Sequence, residues 1–207
     1  LEEAARRAGA SIRWRFVPFA RSLEDLRFGR VDVVPRVLYT AERARYIHFL
    51  PSIGAQAKTI RFIVRPGREA SLRRYADLRQ QVIGAKRGTA YFEPFDHDEL
   101  IRKQLAVDDD LLARMFRAGR YDAMIVLDQA AIEAEFQRLG FTAYSYADYR
   151  HEQWIDNHYG ASRRLYQGAR KDLYERLARA LEEMRVSGEV GRIYRRFGVA
   201  APALEPQ

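Results

Sequence analysis

Thr40 and Arg43 are the residues of this chain whose types and spacing bear most directly on chemistry. Threonine is a preferred N-cap, because its hydroxyl accepts a hydrogen bond from an orphan backbone N–H. An arginine three positions on projects from the first turn, beside N–H groups that already favour anions. A guanidinium placed there can give a carboxylate two parallel charged hydrogen bonds. The same spacing also suits an ordinary capped turn with Arg43 in solvent. Two further places stand out. Gly88-Thr89 follows a strand pattern and reads as a strand-to-helix turn, and Asp128 stands where an aspartate commonly caps the next helix.

Other chemistries lack their residues. His48, His97, His151 and His158 are scattered without metal-ligand spacing. There is no Gly-x-Ser-x-Gly, no P-loop and no His-Glu-x-x-His. The run Asp108-Asp109-Asp110 lacks the alternation of a calcium loop and reads as a helix cap. With no cysteine, there is no disulfide, thiolate metal site or cysteine nucleophile. No metal, cofactor or enzymatic activity is therefore expected. The 36 Lys and Arg against 28 Asp and Glu leave a charge of +8, which could signal an anionic partner. The arginines are mixed with acids along helices, with no basic run interleaved with aromatics, so no nucleic-acid partner is expected.

The elements that must position these residues alternate between strand and helix. A 47% hydrophobic share over 207 residues belongs to a globular chain that can bury a core. No apolar run approaches the ~20 residues of a membrane span, and nothing at the start resembles a signal peptide. Leu1–Arg7 reads as a helix closed by Gly9, and Ser11–Val17 as a strand on its alternation of Ile12, Trp14 and Phe16 with arginines. Arg21–Phe28 reads as helix and Val31–Val34 as a buried strand, followed by a loop and the turn opened by Thr40. Lys58–Val64 is a strand, Ser71–Leu78 a helix, Gln81–Ala85 a strand and Asp110–Ala118 a helix. Tyr121–Leu127 is a strand, Gln129–Leu139 a helix and Phe141–Tyr146 a strand. Trp154–Ala161 is expected as a strand, Ala169–Met184 as an amphipathic helix and Val190–Phe197 as a last short helix. The pattern is that of an α/β protein. Phe28-Gly-Arg-Val-Asp-Val-Val and Ala118-Gly-Arg-Tyr-Asp-Ala-Met repeat the order helix, glycine, arginine, aspartate, strand, which suggests two similar lobes.

Asp32, Thr40, Glu42, Arg43 and Phe49, with Leu50-Pro51 more loosely, resemble the signature of the family 3 extracellular solute-binding proteins. These are the polar amino-acid binders of ABC importers, and the same module serves as a ligand-sensing ectodomain. The family pattern has proline where this chain has Ala41 and serine where it has Leu50, and its loop before the threonine is about one residue longer. The resemblance implies a two-lobed periplasmic-binding-protein-like fold of type II. Lobe 1 would be 1–62 plus 163–200 and lobe 2 63–162, joined by two crossing strands, with 201–207 a disordered tail. Carried over position by position, Arg43 would bind a ligand carboxylate. Thr89 and Ala90 would offer N–H groups and a hydroxyl to the same carboxylate, with Gly88 allowing close approach. Asp128 would meet the ammonium. Arg36 and Tyr39 lie in the shortened loop, Arg36 as a second anion contact.

The resemblance also implies a periplasmic location and a small-molecule ligand, an amino acid or related carboxylate, captured by hinge closure. A membrane partner would read the closure. That partner is an ABC permease for a transport protein, or an attached signalling module for a sensor. A few dehydratases share the scaffold. Family members normally begin with a strand ahead of the first helix seen here, and its absence would leave a sheet edge open to pairing in a homodimer.

Overall fold

The computed structural model describes residues 1–203. In chain order the elements are α1 (Glu2–Arg7), α2 (Phe19–Arg27), β1 (Val33–Val34), a 3₁₀ turn (Arg43–Arg45), β2 (Ile47–Phe49) and β3 (Ala55–Val64). Two 3₁₀ turns (Glu69–Ser71 and Tyr75–Gln80) lead to β4 (Val82–Lys86), α3 (Glu93–His97), β5 (Arg102–Ala106), α4 (Asp109–Arg117) and β6 (Ala123–Val126). Then follow α5 (Gln129–Arg138), β7 (Ser145–Asp156), β8 (Gly160–Ser162), α6 (Arg163–Tyr166), α7 (Lys171–Val186) and α8 (Glu189–Arg196). The chain forms two compact units. One comprises Leu1–Val17, Arg21–Ala57 and the chain from Trp154 on; the other comprises Pro18–Ala20 and Lys58–Gln153. The changeovers at 57/58 and 153/154 fall within β3 and β7, earlier than the expected 62/63 and 162/163.

Unit 1 is built on a three-stranded sheet of order β1-β8-β2, with β8 antiparallel to both neighbours. All three residues of β8 are buried, and Gly160 leaves room for Ile47 and Val37, whose methyl carbons would lie 2.9 and 3.3 Å from any Cβ there. The long helix α7 turns Tyr174, Leu177, Ala180, Leu181 and Met184 inward, and they cluster with Ala4, Ala5 and Ala8 and with Leu50, Ile53 and Ala161. On α2, Asp25 is buried beside Arg30 (2.6 Å), Arg21 (3.2 Å) and Arg15 (3.7 Å). The Arg30 hydrogen bond holds its carboxyl below the usual range against the opposing effect of desolvation.

Unit 2 carries a five-stranded sheet of order β5-β4-β6-β3-β7. Strand β4 runs parallel to β5 and β6, and β3 runs antiparallel to β6. Because side chains alternate across a strand, Ile60, Phe62 and Val64 of β3 join one cluster with Ile83 and Ile125. Ile63 joins Met124, Val126, Phe116 and Phe136 on the other face. A sheet covered on both faces accounts for the continuous apolar run of β6.

Several expectations are corrected. Ser11–Val17 forms no strand; it is mostly exposed, Phe16 at 95%, and none of the described strands pairs with it. Alternation alone does not hold a strand that lacks a neighbour. Phe141–Tyr146 is not a strand over its first part, because Gly140 (φ 59°) and the Phe141 N–H bond to Phe136 O (2.9 Å) wrap the chain into the end of α5. The expected strand Trp154–Ala161 is broken at Asn157, so it becomes the end of β7 and then β8. Ser71–Leu78 is not one helix but parts of two 3₁₀ turns, and β2 and β5 lie where no strand was expected. The tail is ordered at least to Ala203, which pairs with Ala55, while 204–207 lie outside the described residues. No helix among the described residues is long and apolar enough to cross a membrane.

Tight packing at β4 gives a direct test. A Cβ on Gly84 would stand 2.4 Å from the buried Tyr121 ring, whose hydroxyl is fastened to Leu112 O. Gly84→Ala should therefore cost about 3 kcal/mol, the upper end of overpacking penalties, and lower the urea midpoint. An unchanged midpoint would contradict the packing described.

Candidate functional site

In unit 1 the candidates lie on the loop between β1 and β2. Thr40 Oγ1 accepts the Arg43 N–H at 3.1 Å and Thr40 O accepts the Ala44 N–H at 2.9 Å, so the threonine opens a helical turn. Arg43 does not sit in solvent. It is 6% exposed, and its Nη1 donates to Leu38 O at 2.8 Å. That bond turns the guanidinium back toward its own loop and fixes the fork with one of its five donors. Tyr39 is 58% exposed with its ring 5.0 Å from that of Phe49. Arg36 is exposed and takes φ 54°, a left-handed conformation uncommon outside glycine. Burial pushes the Tyr159 hydroxyl up to about 12, and the charge of Arg36 acts against that rise.

In unit 2, Gly88, Thr89 and Ala90 follow β4, and Asp128 follows β6. Because β4 and β6 are adjacent and parallel, both groups emerge at the carboxyl edge of the sheet. That edge is where open α/β sheets bind ligands. Gly88 has φ 75°, which a side chain would disfavour. The Thr89 N–H closes the turn onto Lys86 O at 3.2 Å, so this amide serves the turn. The Thr89 hydroxyl oxygen is buried and makes no hydrogen bond of regular geometry. It lies near enough to the Tyr91 hydroxyl to oppose, in small part, the upward push that burial gives that group. The helix expected just after the turn starts only at Glu93, and the Tyr91 N–H before it bonds Asp96 (2.9 and 3.1 Å). The helix terminus therefore does not point its amides from Gly88–Ala90. Lys86 pairs with Asp109 at 2.7 Å.

Asp128 is exposed, and its Oδ1 accepts the Ala131 N–H at 3.2 Å, capping α5. Asp108 caps α4 in the same way, with Oδ1 2.8 Å from Leu111 N. The structure thus gathers Arg36, Tyr39 and Arg43 on one loop of unit 1, and Gly88, Thr89, Ala90 and Asp128 at one sheet edge of unit 2. The contact that sequence reasoning missed is the Leu38 carbonyl that orients Arg43. Every residue has a carbonyl, so composition and spacing carry no signal for it. Asp128→Ala should lower stability by about 1 kcal/mol, the usual worth of an N-cap, whereas Asp128→Asn should keep most of the cap while removing the charge. Chemical denaturation of both variants measures this, and equal losses would contradict the capping role.

Comparison with known proteins places the chain. A profile of bacterial extracellular solute-binding proteins, family 3, matches residues 1–200. No curated protein sequence matches. Among solved structures, the chain is similar to an amino acid ABC transporter substrate-binding protein AbpA from Streptococcus pneumoniae Canada MDR_19A bound to L-arginine. The two are 19% identical with a TM-score of 0.71, covering 94% of this chain and 80% of that one. An ancestral arginine-binding protein bound to glutamine is 18% identical, TM-score 0.73, covering 94% and 83%. A histidine kinase sensor domain with similarity to periplasmic binding proteins is 20% identical, TM-score 0.73, covering 97% and 84%. These likenesses establish the type II periplasmic-binding-protein fold, and with the profile over nearly the whole chain they show that it belongs to the bacterial extracellular solute-binding proteins, family 3.

Proposed function

We propose that this solute-binding protein captures an amino acid or related small carboxylate in the periplasm for an ABC importer, without chemistry on the solute. The observation that carries the proposal is the buried Arg43 held by Leu38 O. A buried guanidinium with a fixed fork is suited to carboxylate recognition, and burial strengthens each charged hydrogen bond it makes. In this scheme Arg43 receives the solute carboxylate together with the Thr89 hydroxyl and the Ala90 end of the turn at Gly88. Asp128 meets the ammonium, since capping α5 leaves acceptor sites on its carboxylate. Arg36 and Tyr39 supply the remaining contacts. A solute that is held by both units in one conformation and by one unit in another shifts the population toward the first. A membrane permease is the proposed reader of that shift.

The likeness to a histidine kinase sensor domain supports a second reading, in which an attached signalling module is the reader. Pairing of two copies through the edge of β1, which has a neighbour on only one side in its sheet, is a further part of the proposal. Sedimentation should then show a concentration-dependent dimer, and a monomer at all concentrations would remove it.

The test of capture is a thermal-shift screen with L-arginine, L-glutamine, L-glutamate, amines and small carboxylates. A solute at 100 times its dissociation constant adds about 2.7 kcal/mol, or about 5–10 °C for a chain of this size. The shift should be lost in Arg43→Ala and much reduced in Arg43→Lys, which keeps the charge but not the fork. A shift that survives both substitutions would place the carboxylate elsewhere. No shift with any compound would overturn capture of this class.

A further inference from the structure

The carbonyl of Gly54 is the centre of a small hydrogen-bonded cluster in unit 1. It accepts the Asn157 backbone N–H at 3.0 Å and the Asn157 side-chain amide at 3.2 Å, and Asn157 is buried. The Ser52 hydroxyl lies 3.3 Å from the same carbonyl and 3.1 Å from Asp156 Oδ1, and it accepts the Gly54 N–H at 3.1 Å. These residues flank two of the points where the chain passes between units, those at 57/58 and 153/154. A third segment joins them. Ala55 and Ala203 exchange both backbone hydrogen bonds, at 2.8 and 2.7 Å, as an antiparallel pair, and the Gln56 side-chain amide donates to Ala200 O at 3.2 Å.

Gly54 makes that docking feasible. Its φ of 123° is open to glycine and strained for other residues, and a Cβ would stand 2.5 Å from Ala203 O and 2.8 Å from Pro202 Cβ. The docked segment itself is weakly anchored. Ala201, Pro202 and Ala203 are half-buried and none carries a large apolar side chain, so the segment belongs to the low-stability end of the fold, where local opening is cheap.

We propose that residues 200–203 act as a releasable strap on the start of β3, so that docking of the C-terminal segment and the conformation of the passage between units depend on one another. An element that binds one state of β3 better than another must, by linkage, be bound or released as that state changes. The proposal needs no assumption about the solute, so it stands or falls apart from the capture scheme above.

Hydrogen exchange by NMR tests it without a ligand, comparing the full chain, a chain ending at Val199, and a full-length Ala203→Pro variant that deletes one donor of the pair. The chain has no cysteine, so spin labels at Arg6→Cys and Glu99→Cys, one exposed position in each unit, can report the distance distribution in parallel. Expected are at least tenfold faster exchange of the Ala55 and Asn157 amides, a broader distance distribution, and an unchanged rate at the Leu50 amide, which bonds Tyr159 O at 2.9 Å. Ala203→Pro should move each readout the same way by less. Unchanged exchange at Ala55 would mean the strap is not docked and would overturn the proposal. Faster exchange at Ala55 alone, with Asn157 and the distances unmoved, would overturn the coupling. Equal acceleration at Leu50 would show the segment to be part of the unit's fold and not a releasable strap, which also overturns it.

Discussion

The loop that carries Arg36, Tyr39 and Arg43 is held at both ends by one short stretch from more than a hundred residues away. Val33 and Val34 pair with Ala161 and Gly160 on one side of β8, and Ile47, His48 and Phe49 pair with Ser162, Ala161 and Gly160 on the other. The Val37 N–H bonds His158 O, the Leu50 N–H bonds Tyr159 O and the Arg163 N–H bonds Tyr46 O, which extends the fastening past the strands. Buried backbone groups must find partners, and residues 158–163 supply them to both flanks. Gly160 is what lets Ile47 and Val37 close over the strand. The loop can then be short, because its ends are already fixed by pairing and its interior is tied by Thr40 and by Arg43 itself.

That arrangement explains which features were legible in the sequence. Thr40, Asp108 and Asp128 act within three residues of themselves, so their capping roles follow from local pattern. The amphipathic face of α7 is equally local. Strand assignments fared differently, because a strand exists only where another chain segment accepts its hydrogen bonds. Ser11–Val17 has the alternation and no partner among the described strands. Ile47–Phe49 is only three residues, too short for alternation to mark it, but it is paired along its whole length by β8. Arg102–Ala106 likewise lacks a clear apolar face, yet β4 pairs with it over all five residues. The family motif was legible because its residues are contiguous. The orientation of Arg43 was not, since it is set by a backbone carbonyl.

The candidate residues also show how structural and recognition roles share one group. Asp128 spends one acceptor on α5 and is exposed, and Thr89 gives its N–H to the turn while its hydroxyl oxygen has no regular partner. In both cases the structural bond fixes the group in place before any solute arrives. Fixing it beforehand reduces the ordering that binding must otherwise impose. Arg43 follows the same logic, its bond to Leu38 O lowering the freedom of a side chain that carries much rotamer entropy.

A fold does not by itself decide what its site binds, because a sheet's pairing is specified by some positions and a site's chemistry by others. One solved structure similar to this chain is an ancestral arginine-binding protein bound to glutamine. In the capture scheme proposed here, Arg43 and Thr89 address the carboxylate and Asp128 the ammonium, groups that all free amino acids present. Discrimination must then come from the residues that face the remainder of the solute. Arg36 and Tyr39 are the candidates on the loop that no cap or backbone bond explains, and Arg36 is held in a left-handed conformation at some energetic cost. Strain of that kind persists where surrounding structure enforces it, here through the Val34 pairing before it and the Val37 bond after it. A loop pinned on both sides leaves Arg36 little choice of position. In that scheme, the position of the charge at Arg36 is set by the same β8 pairing that builds the unit.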